Sequence, residues 1–341
     1  MVKELKSLQA RVAIVGASTL KGREVKAVLA DRGFPITKLV LMDSDEDLGR
    51  LTEFEGEPAI SLVIAEESFD SLDLVFFAGE PQTTRQYAPL AQKNHFLAID
   101  LSYAFISEPR IPLLLRSDKL PDSFVLPGLG IVSSPHPAAL AVATMLRQLS
   151  SHCLFHHCVI NLFEPASEHG SQGVEELEKQ TLSVFSFQPC PQAVFDRQLA
   201  FNLLSRLGEA SREALATTEK VIAAHLEVLL RGSCEMPSLT LIQAPVFHTY
   251  CFSVFMEMNT ILEIGEIENA MQSEFIEVIS TGNEPPSPVQ VAGTDSIQLG
   301  GMKRDSVNPH GIWFWAVADN LRLAALNSVA LAEWLVLMKN A

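Results

Sequence analysis

Within its first hundred residues the chain carries four short apolar runs separated by helical stretches, and this alternation restricts the fold more than any other feature. The runs are Arg11–Val15, Lys38–Met42, Asp73–Phe77 and Phe96–Ile99. Each is short and, past the charged first residue of the first three, continuously apolar, as strands buried on both faces are. Between the first two, Val25, Val28 and Leu29 recur at helical spacing. Strand, helix, strand in succession predicts a parallel sheet covered on both sides, a Rossmann-like doubly wound α/β domain over residues 1–132. At 341 residues the chain has room for a second core.

That second core is expected over residues 133–318, where the texture changes. Ser133-Ser134-Pro135-His136-Pro137 precedes a helix with Ala139, Val142, Met145, Leu146 and Leu149 on one face. Serine as N-cap and proline at the start suit a helix beginning. Strands are predicted over 154–163, 239–247, 250–258, 275–279 and 312–317, and helices over 174–182 and 210–230. This is an α+β domain with a large mixed or antiparallel sheet. The stretch 282–288 reads as an exposed loop. The apolar C-terminal helix, 319–341, is assigned back to the first domain.

The turn Gly16-Ala17-Ser18-Thr19-Leu20-Lys21-Gly22 joins the first strand to the first helix. A glycine-rich turn there lets backbone approach a pyrophosphate at a helix N-terminus. Thr19 occupies the middle glycine position, so a working nucleotide turn and a structural relic both remain open. Asp43 closes the second strand, where a carboxylate can bind a ribose hydroxyl; a solvated acidic turn is the plainer account. With Asp45, Glu46 and Asp47 following, a 2′-phosphate would be repelled, which favours NAD over NADP.

A net charge of −16 argues against nucleic acid as a partner. Neither an uninterrupted apolar run of about 18 residues nor a signal-like core near Lys3, Glu4 and Lys6 is seen, so no membrane association is expected. Five cysteines at irregular spacing suggest reduced thiols and a cytoplasmic protein. His152, His156 and Cys158 could share a strand face as metal ligands, but no second ligand pair is visible; packing is the favoured account and no metal site is assigned.

Several motifs, in order along nearly the whole chain, resemble the aspartate-β-semialdehyde dehydrogenase family. They are Gly16-Ala17-Ser18 through Gly22, Phe77-Ala78-Gly79-Glu80, Ile99-Asp100-Leu101-Ser102-Tyr103-Ala104-Phe105-Ile106, Gly173-Val174-Glu175-Glu176-Leu177, and Asp319-Asn320-Leu321-Arg322 with Ala324-Ala325 and Asn327 to Glu333. The resemblance implies an NADP- and phosphate-dependent oxidoreduction of aspartate semialdehyde in amino-acid biosynthesis. It also implies a dimer formed through the second domain's sheet, with Ile312 to Trp315 partly at the seam. Gly16, Ala17, Ser18, Thr19, Leu20, Gly22, Asp43, Ala78, Gly79 and Asn320 are the implied cofactor-binding positions, for NAD or NADP with binding weak or lost.

The departures bear on activity. In the family a cysteine thiolate at a helix start attacks the aldehyde, which needs a lowered thiol pKa. Pro137 stands at that position. Tyr250 stands at the general-base histidine, Gln243 and Ile106 at the two anion-binding arginines, Glu164 at a glutamine, and Glu168-His169 at a Gly-Ala pair. The lysine motif maps near Glu213. His248, two residues before Tyr250, would share its face if the strand is extended. Residues that act as a unit fail together. The chain is therefore expected to be catalytically impaired, most similar to the Usg-type bacterial paralogues, with a homodimer and a further protein partner as its associations. A relocated nucleophile such as Cys251 is the alternative. A different reaction using His136, Glu164, His169 or His248 as acid–base groups is a third.

Overall fold

The computed structural model describes residues 9–44, 51–54, 57–106, 108–118 and 129–340. Lys3, Glu4, Lys6, Asp45, Glu46 and Asp47 lie outside the described residues. The chain divides into two compact units, Met1–His136 with Ala324–Ala341, and Pro137–Leu323.

The first unit holds β1 (Ala10–Val15), β2 (Ile36–Asp43), a small antiparallel pair β3 (Leu51–Phe54) and β4 (Glu57–Ile60), β5 (Leu62–Val63), β6 (Leu74–Phe77), β7 (Leu97–Asp100) and β8 (Ile131–Ser133). Its main sheet runs β5-β2-β1-β6-β7-β8 and every pairing is parallel. Side chains of β1 alternate between two cores, as the period of a strand demands. Val12 and Ile14 pack with Val25, Val28 and Leu29 of the helix Leu20–Asp31 and with Ala325, Val329, Ala332 and Leu335 of the terminal helix. Ala13 and Val15 pack on the other face with Phe69, Ala88, Ala91 and Phe96. The sheet is doubly wound.

The terminal helix runs Asn320–Asn340. Its segment Asn320–Met338 is long and apolar enough to cross a membrane by length and composition, with 72% of the window buried inside the fold. Arg322 and Glu333 interrupt it, so a search for an unbroken run passes over it. Glu333 is held by Arg32 at 2.6 Å, and the apolar residues around it serve the core of the first unit.

The second unit contains β9 (Phe155–Glu164), β10 (Ser238–Gln243), β11 (Tyr250–Met258), β12 (Ile276–Val278), β13 (Ile297–Arg304) and β14 (Gly311–Ala318), in the order β10-β9-β11-β14-β13-β12. The two outer pairs are parallel and the three inner ones antiparallel, so the sheet is mixed. β13 has no counterpart in the sequence reading. At Gly300-Gly301 the strand carries a register shift with Gly301 at φ 60°, a bulge inside a strand. The strand expected over 239–247 ends at Gln243. The Trp313 and Trp315 indoles are engaged within the unit: Trp313 donates to Asp305 at 2.7 Å and Trp315 to the Pro286 carbonyl at 3.0 Å.

The helix Gly170–Phe185 explains the Gly173–Leu177 motif in structural terms. A Cβ on Gly173 would collide with the Ala166 carbonyl. Glu176 and Gln180, one turn apart on the buried face, hold an irregular segment by its backbone. Glu176 accepts the amides of Val194 (2.7 Å) and Phe195 (3.1 Å). Gln180 accepts those of Leu199 (2.6 Å) and Ala200 (3.0 Å) and donates to the carbonyls of Pro191 (2.7 Å) and Arg197 (2.9 Å). A buried stretch without a ladder must satisfy its backbone this way.

Candidate active site

Two sets of candidate site residues stand out, one in each unit. In the first unit β1 is flanked by β2 on one side and β6 on the other, so the strand order reverses between β1 and β6. Ligands of open α/β sheets bind at the carboxyl ends of strands at such a reversal. Gly16 lies there at φ 81°, and a Cβ on it would sit 2.5 Å from the Gly79 Cα. A Cβ on Gly22 would collide with the Gly16 carbonyl. Both glycines are required by close backbone approach. Leu20 opens the helix and Thr19 is its N-cap. The Thr19 hydroxyl accepts the Gly22 amide at 3.0 Å and lies 2.8 Å from the Gly16 carbonyl and 3.1 Å from that of Ala78. Thr19 thus binds the turn together where a middle glycine would leave open space. The turn fits a dinucleotide phosphate: a helix N-terminus, tight glycines and small neighbours Ala17, Ser18 and Ala78.

Asp43 has a different place from the one expected. Its carboxylate accepts the Ser18 amide and hydroxyl, both at 2.9 Å, and the Ser61 hydroxyl at 2.6 Å, and the residue is 1% exposed. It shapes the turn from behind and offers almost no surface to a ribose. Asp100, at the end of β7, is similarly internal: it accepts the Ser102 amide and hydroxyl at 2.7 Å. Burial pushes its pKa up, against the pull of these bonds. Ile106 is exposed.

The helix Pro137–Ser150 begins at Pro137 itself, the first helical position and a buried one. Ser134 is therefore not its N-cap; the Ser134 hydroxyl accepts from Asn327 Nδ2 at 3.0 Å. His136 is buried with its ring 5.1 Å from that of Tyr103. Proline is well suited to start a helix and contributes no nucleophile.

In the second unit the register of three strands sets Gln243, Glu164 and Tyr250 in one row. β10 aligns Gln243 with Glu164, and β11 places Tyr250 one step beyond the Cys251–Phe163 pair. The Tyr250 hydroxyl donates to Glu164 Oε2 at 3.0 Å, and Gln243 Nε2 donates to the Glu164 main-chain carbonyl at 2.9 Å. After Pro165 a 3-10 turn, Ala166–His169, folds back over the row. His169 Nε2 lies 3.0 Å from Glu164 Oε1 and 2.9 Å from Gln243 Oε1. Both neighbours are acceptors, so Nε2 carries the proton. Burial, the largest influence on His169, opposes its charging; the Glu164 bond and charge, helped by Gln243 and Glu168, outweigh it and raise its pKa. Phe195 meets the ring edge-on at 5.0 Å.

The other expected site residues are not in this row. Residues 244–249 leave the strand before Tyr250, so alternation does not carry His248 to the face of Tyr250. Asn320 is a clamp: its amide donates to Glu168 (2.7 Å) and Ser167 (3.0 Å) and accepts the Thr249 amide (3.2 Å). Glu213 is exposed in a loop. Cys251 points to the opposite sheet face from Tyr250, packed with Val291, Val317, Phe163 and Trp315. Burial pushes its thiol up to about 12. Among the described residues no group of three or more metal-ligating side chains occurs. Cys158 is buried with its thiol pushed up to about 12, and His156 bonds Asn259 at 3.2 Å.

A parallel sheet of the dinucleotide-binding type together with a mixed-sheet unit is the architecture of two-domain, dehydrogenase-like proteins. The family model of the semialdehyde dehydrogenase NAD binding domain matches residues 11–118, and that of the semialdehyde dehydrogenase dimerisation domain matches 149–323. The aspartate-semialdehyde dehydrogenase of Rickettsia conorii is 30% identical over 330 residues, covering 95% of this chain and 97% of that protein. The USG-1 protein homolog of Pseudomonas aeruginosa is 29% identical over 329 residues, with 95% and 97% covered. A solved structure of a probable aspartate-semialdehyde dehydrogenase from Pseudomonas aeruginosa agrees with a TM-score of 0.87 at 29% identity, over 96% of this chain and 99% of that one. The chain belongs to the aspartate-semialdehyde dehydrogenase family. With the Rickettsia enzyme and the USG-1 homolog at 30% and 29%, identity does not single out the Usg-type branch. The dimerisation domain supports a homodimer.

Proposed function

We propose that this chain is a homodimeric, dinucleotide-binding member of the family that does not run thiolate-based oxidation of aspartate semialdehyde. The observation that carries the reading is Pro137 as the buried first residue of its helix, at the position matching the family's nucleophile. A thiolate at a helix N-terminus is stabilised by the unpaired amides there; a pyrrolidine ring cannot use them. The row Gln243–Glu164–Tyr250 supports the same reading, because its polar groups bond one another. A nicotinamide dinucleotide, where bound, supplies a hydride acceptor or donor. The residues of this chain that would hold it are Gly16 to Gly22, with Ala78 and Gly79 beside them. Action through a protein partner is part of this proposal.

A relocated nucleophile at Cys251 is disfavoured. Its thiol is buried in an apolar cluster, and its pKa near 12 leaves little thiolate at neutral pH. The experiment is phosphate-dependent oxidation of aspartate semialdehyde by the purified protein with NAD or NADP. The expected kcat is far below about 1 per second, the lower end of ordinary enzymes. Turnover at an ordinary rate would refute the proposal, and loss of that turnover in Cys251→Ser would identify the relocated thiol.

A further inference from the structure

The cluster around Glu164 holds a feature that the absence of a thiol does not explain. His169 offers Nε2–H to two acceptors, Glu164 Oε1 and Gln243 Oε1. Its Nδ1 makes no hydrogen bond among the described residues. Nor is Nδ1 sealed from solvent: among the described side-chain atoms, the one both sealed and unpartnered is Thr249 Oγ1. The side chain as a whole is 7% exposed, so the opening is narrow. A carboxylate on one imidazole nitrogen with the other left open is the arrangement that fixes tautomer and ring orientation in proton-transferring histidines. The carboxylate is itself braced, by the Tyr250 hydroxyl on Oε2 and by Gln243 on the Glu164 main chain.

We propose that His169 is an acid–base residue of the second unit, accepting a proton at Nδ1 from a bound small molecule and returning it, with Glu164 as its positioning residue. In the step, an O–H or N–H bond of the ligand breaks and its electron pair stays on the ligand. An N–H bond forms at Nδ1, and the imidazolium keeps its Nε2–H on Glu164 Oε1. The charged and titratable groups facing the ring are Glu164, Glu168 and, behind Glu164, Tyr250. The negative charge that Glu164 and Glu168 bring to the ring favours a neutral or cationic ligand over an anion. The start of the helix Gly170–Phe185, adjoining His169, opposes its protonation, so the carboxylates must dominate for the residue to cycle. This goes beyond the reading based on Pro137 and does not depend on it.

The test is nitrogen-15 NMR of the histidine rings in the full-length dimer, titrated from acid to alkaline pH. It is paired with carbethoxylation by diethyl pyrocarbonate mapped by mass spectrometry. His169 is expected as the Nε2–H tautomer with a midpoint above about 6.5, and to be carbethoxylated in the folded protein. Glu164→Gln should lower the midpoint by at least about one unit. Tyr250→Phe, which keeps the ring and frees one carboxylate oxygen, should raise it; this variant serves where Glu164→Gln fails to fold. Ethanolamine should shift the His169 resonances and acetate should not. A His169 that is unreactive in the folded protein, or whose midpoint ignores both variants, is a structural clasp and overturns the proposal. Acetate moving it, or neither probe doing so, overturns the ligand class.

Discussion

The Asn320 side-chain carbonyl accepts the Thr249 amide at 3.2 Å, and Thr249 is held there at φ 75°. For a β-branched residue this left-handed conformation is strained by about 1–3 kcal/mol. The Thr249 hydroxyl is also buried, with the Cys251 thiol as a weak neighbour in place of a full partner, a further cost of up to about 1–3 kcal/mol.

Thr249→Gly should therefore stabilise the protein. Lost burial of a methyl, about 0.8 kcal/mol, and the entropy of glycine, about 0.5–1 kcal/mol, offset part of the gain. The expected net is about 1 kcal/mol, read by urea unfolding. Thr249→Ala keeps the strain and removes the hydroxyl, so it should gain less. Destabilisation by Thr249→Gly would show that the backbone is not strained there.

Gly22→Ala should weaken any nucleotide binding at least about tenfold, about 1.4 kcal/mol, because the new Cβ meets the Gly16 carbonyl and must push the turn open. Calorimetry with NAD and NADP on the wild type and this variant provides the comparison. Equal affinity in both proteins would place the nucleotide elsewhere.

The His169–Glu164 pair should make stability depend on pH. The folded-state pKa of His169 is raised, so the stabilisation is fully present below the unfolded value of about 6.5 and is lost as pH rises through the folded value. The difference in melting temperature between the wild type and Glu164→Gln should be largest in mild acid and shrink toward alkaline pH. A difference that stays flat across this range would count against the pair.

On the matched dimerisation domain, Phe185 is 70% and Phe187 96% exposed, and Phe185 meets Phe201 edge-on at 5.6 Å. Leu182, on the same helix as Phe185, is exposed too, as are Phe201 and Leu203 in the later loop that Phe185 meets. Large apolar side chains concentrated on one helix end and one loop suit a subunit seam better than the Trp313–Trp315 stripe, whose indoles bond within the unit. Phe185→Asp should shift the protein toward monomer in sedimentation equilibrium without altering its fold by circular dichroism. A dimer unaffected by this change would move the seam elsewhere.

Local pattern alone was enough for the β1, β2, β6 and β7 strands, the glycine turn and the proline-led helix, because apolar runs and glycine punctuation are read within a few residues. The motifs were legible too, but their meaning was not. Neither a ribose contact nor a solvated acidic turn describes Asp43, whose carboxylate is taken up by Ser18 and Ser61, and the extended strand that would set His248 on the face of Tyr250 is broken at 244–249. β13 escaped because Gly300-Gly301 resembles a break when its neighbours are unknown. The residues Glu164, His169, Gln243 and Tyr250 each stood out in the sequence as separate departures from the family's pattern. They form one hydrogen-bonded unit only because the register of three strands aligns positions up to 86 residues apart. Spacing along the chain carries periodicity and turn chemistry, whereas partners across a sheet are chosen by strand order and register, which depend on the packing of the whole unit.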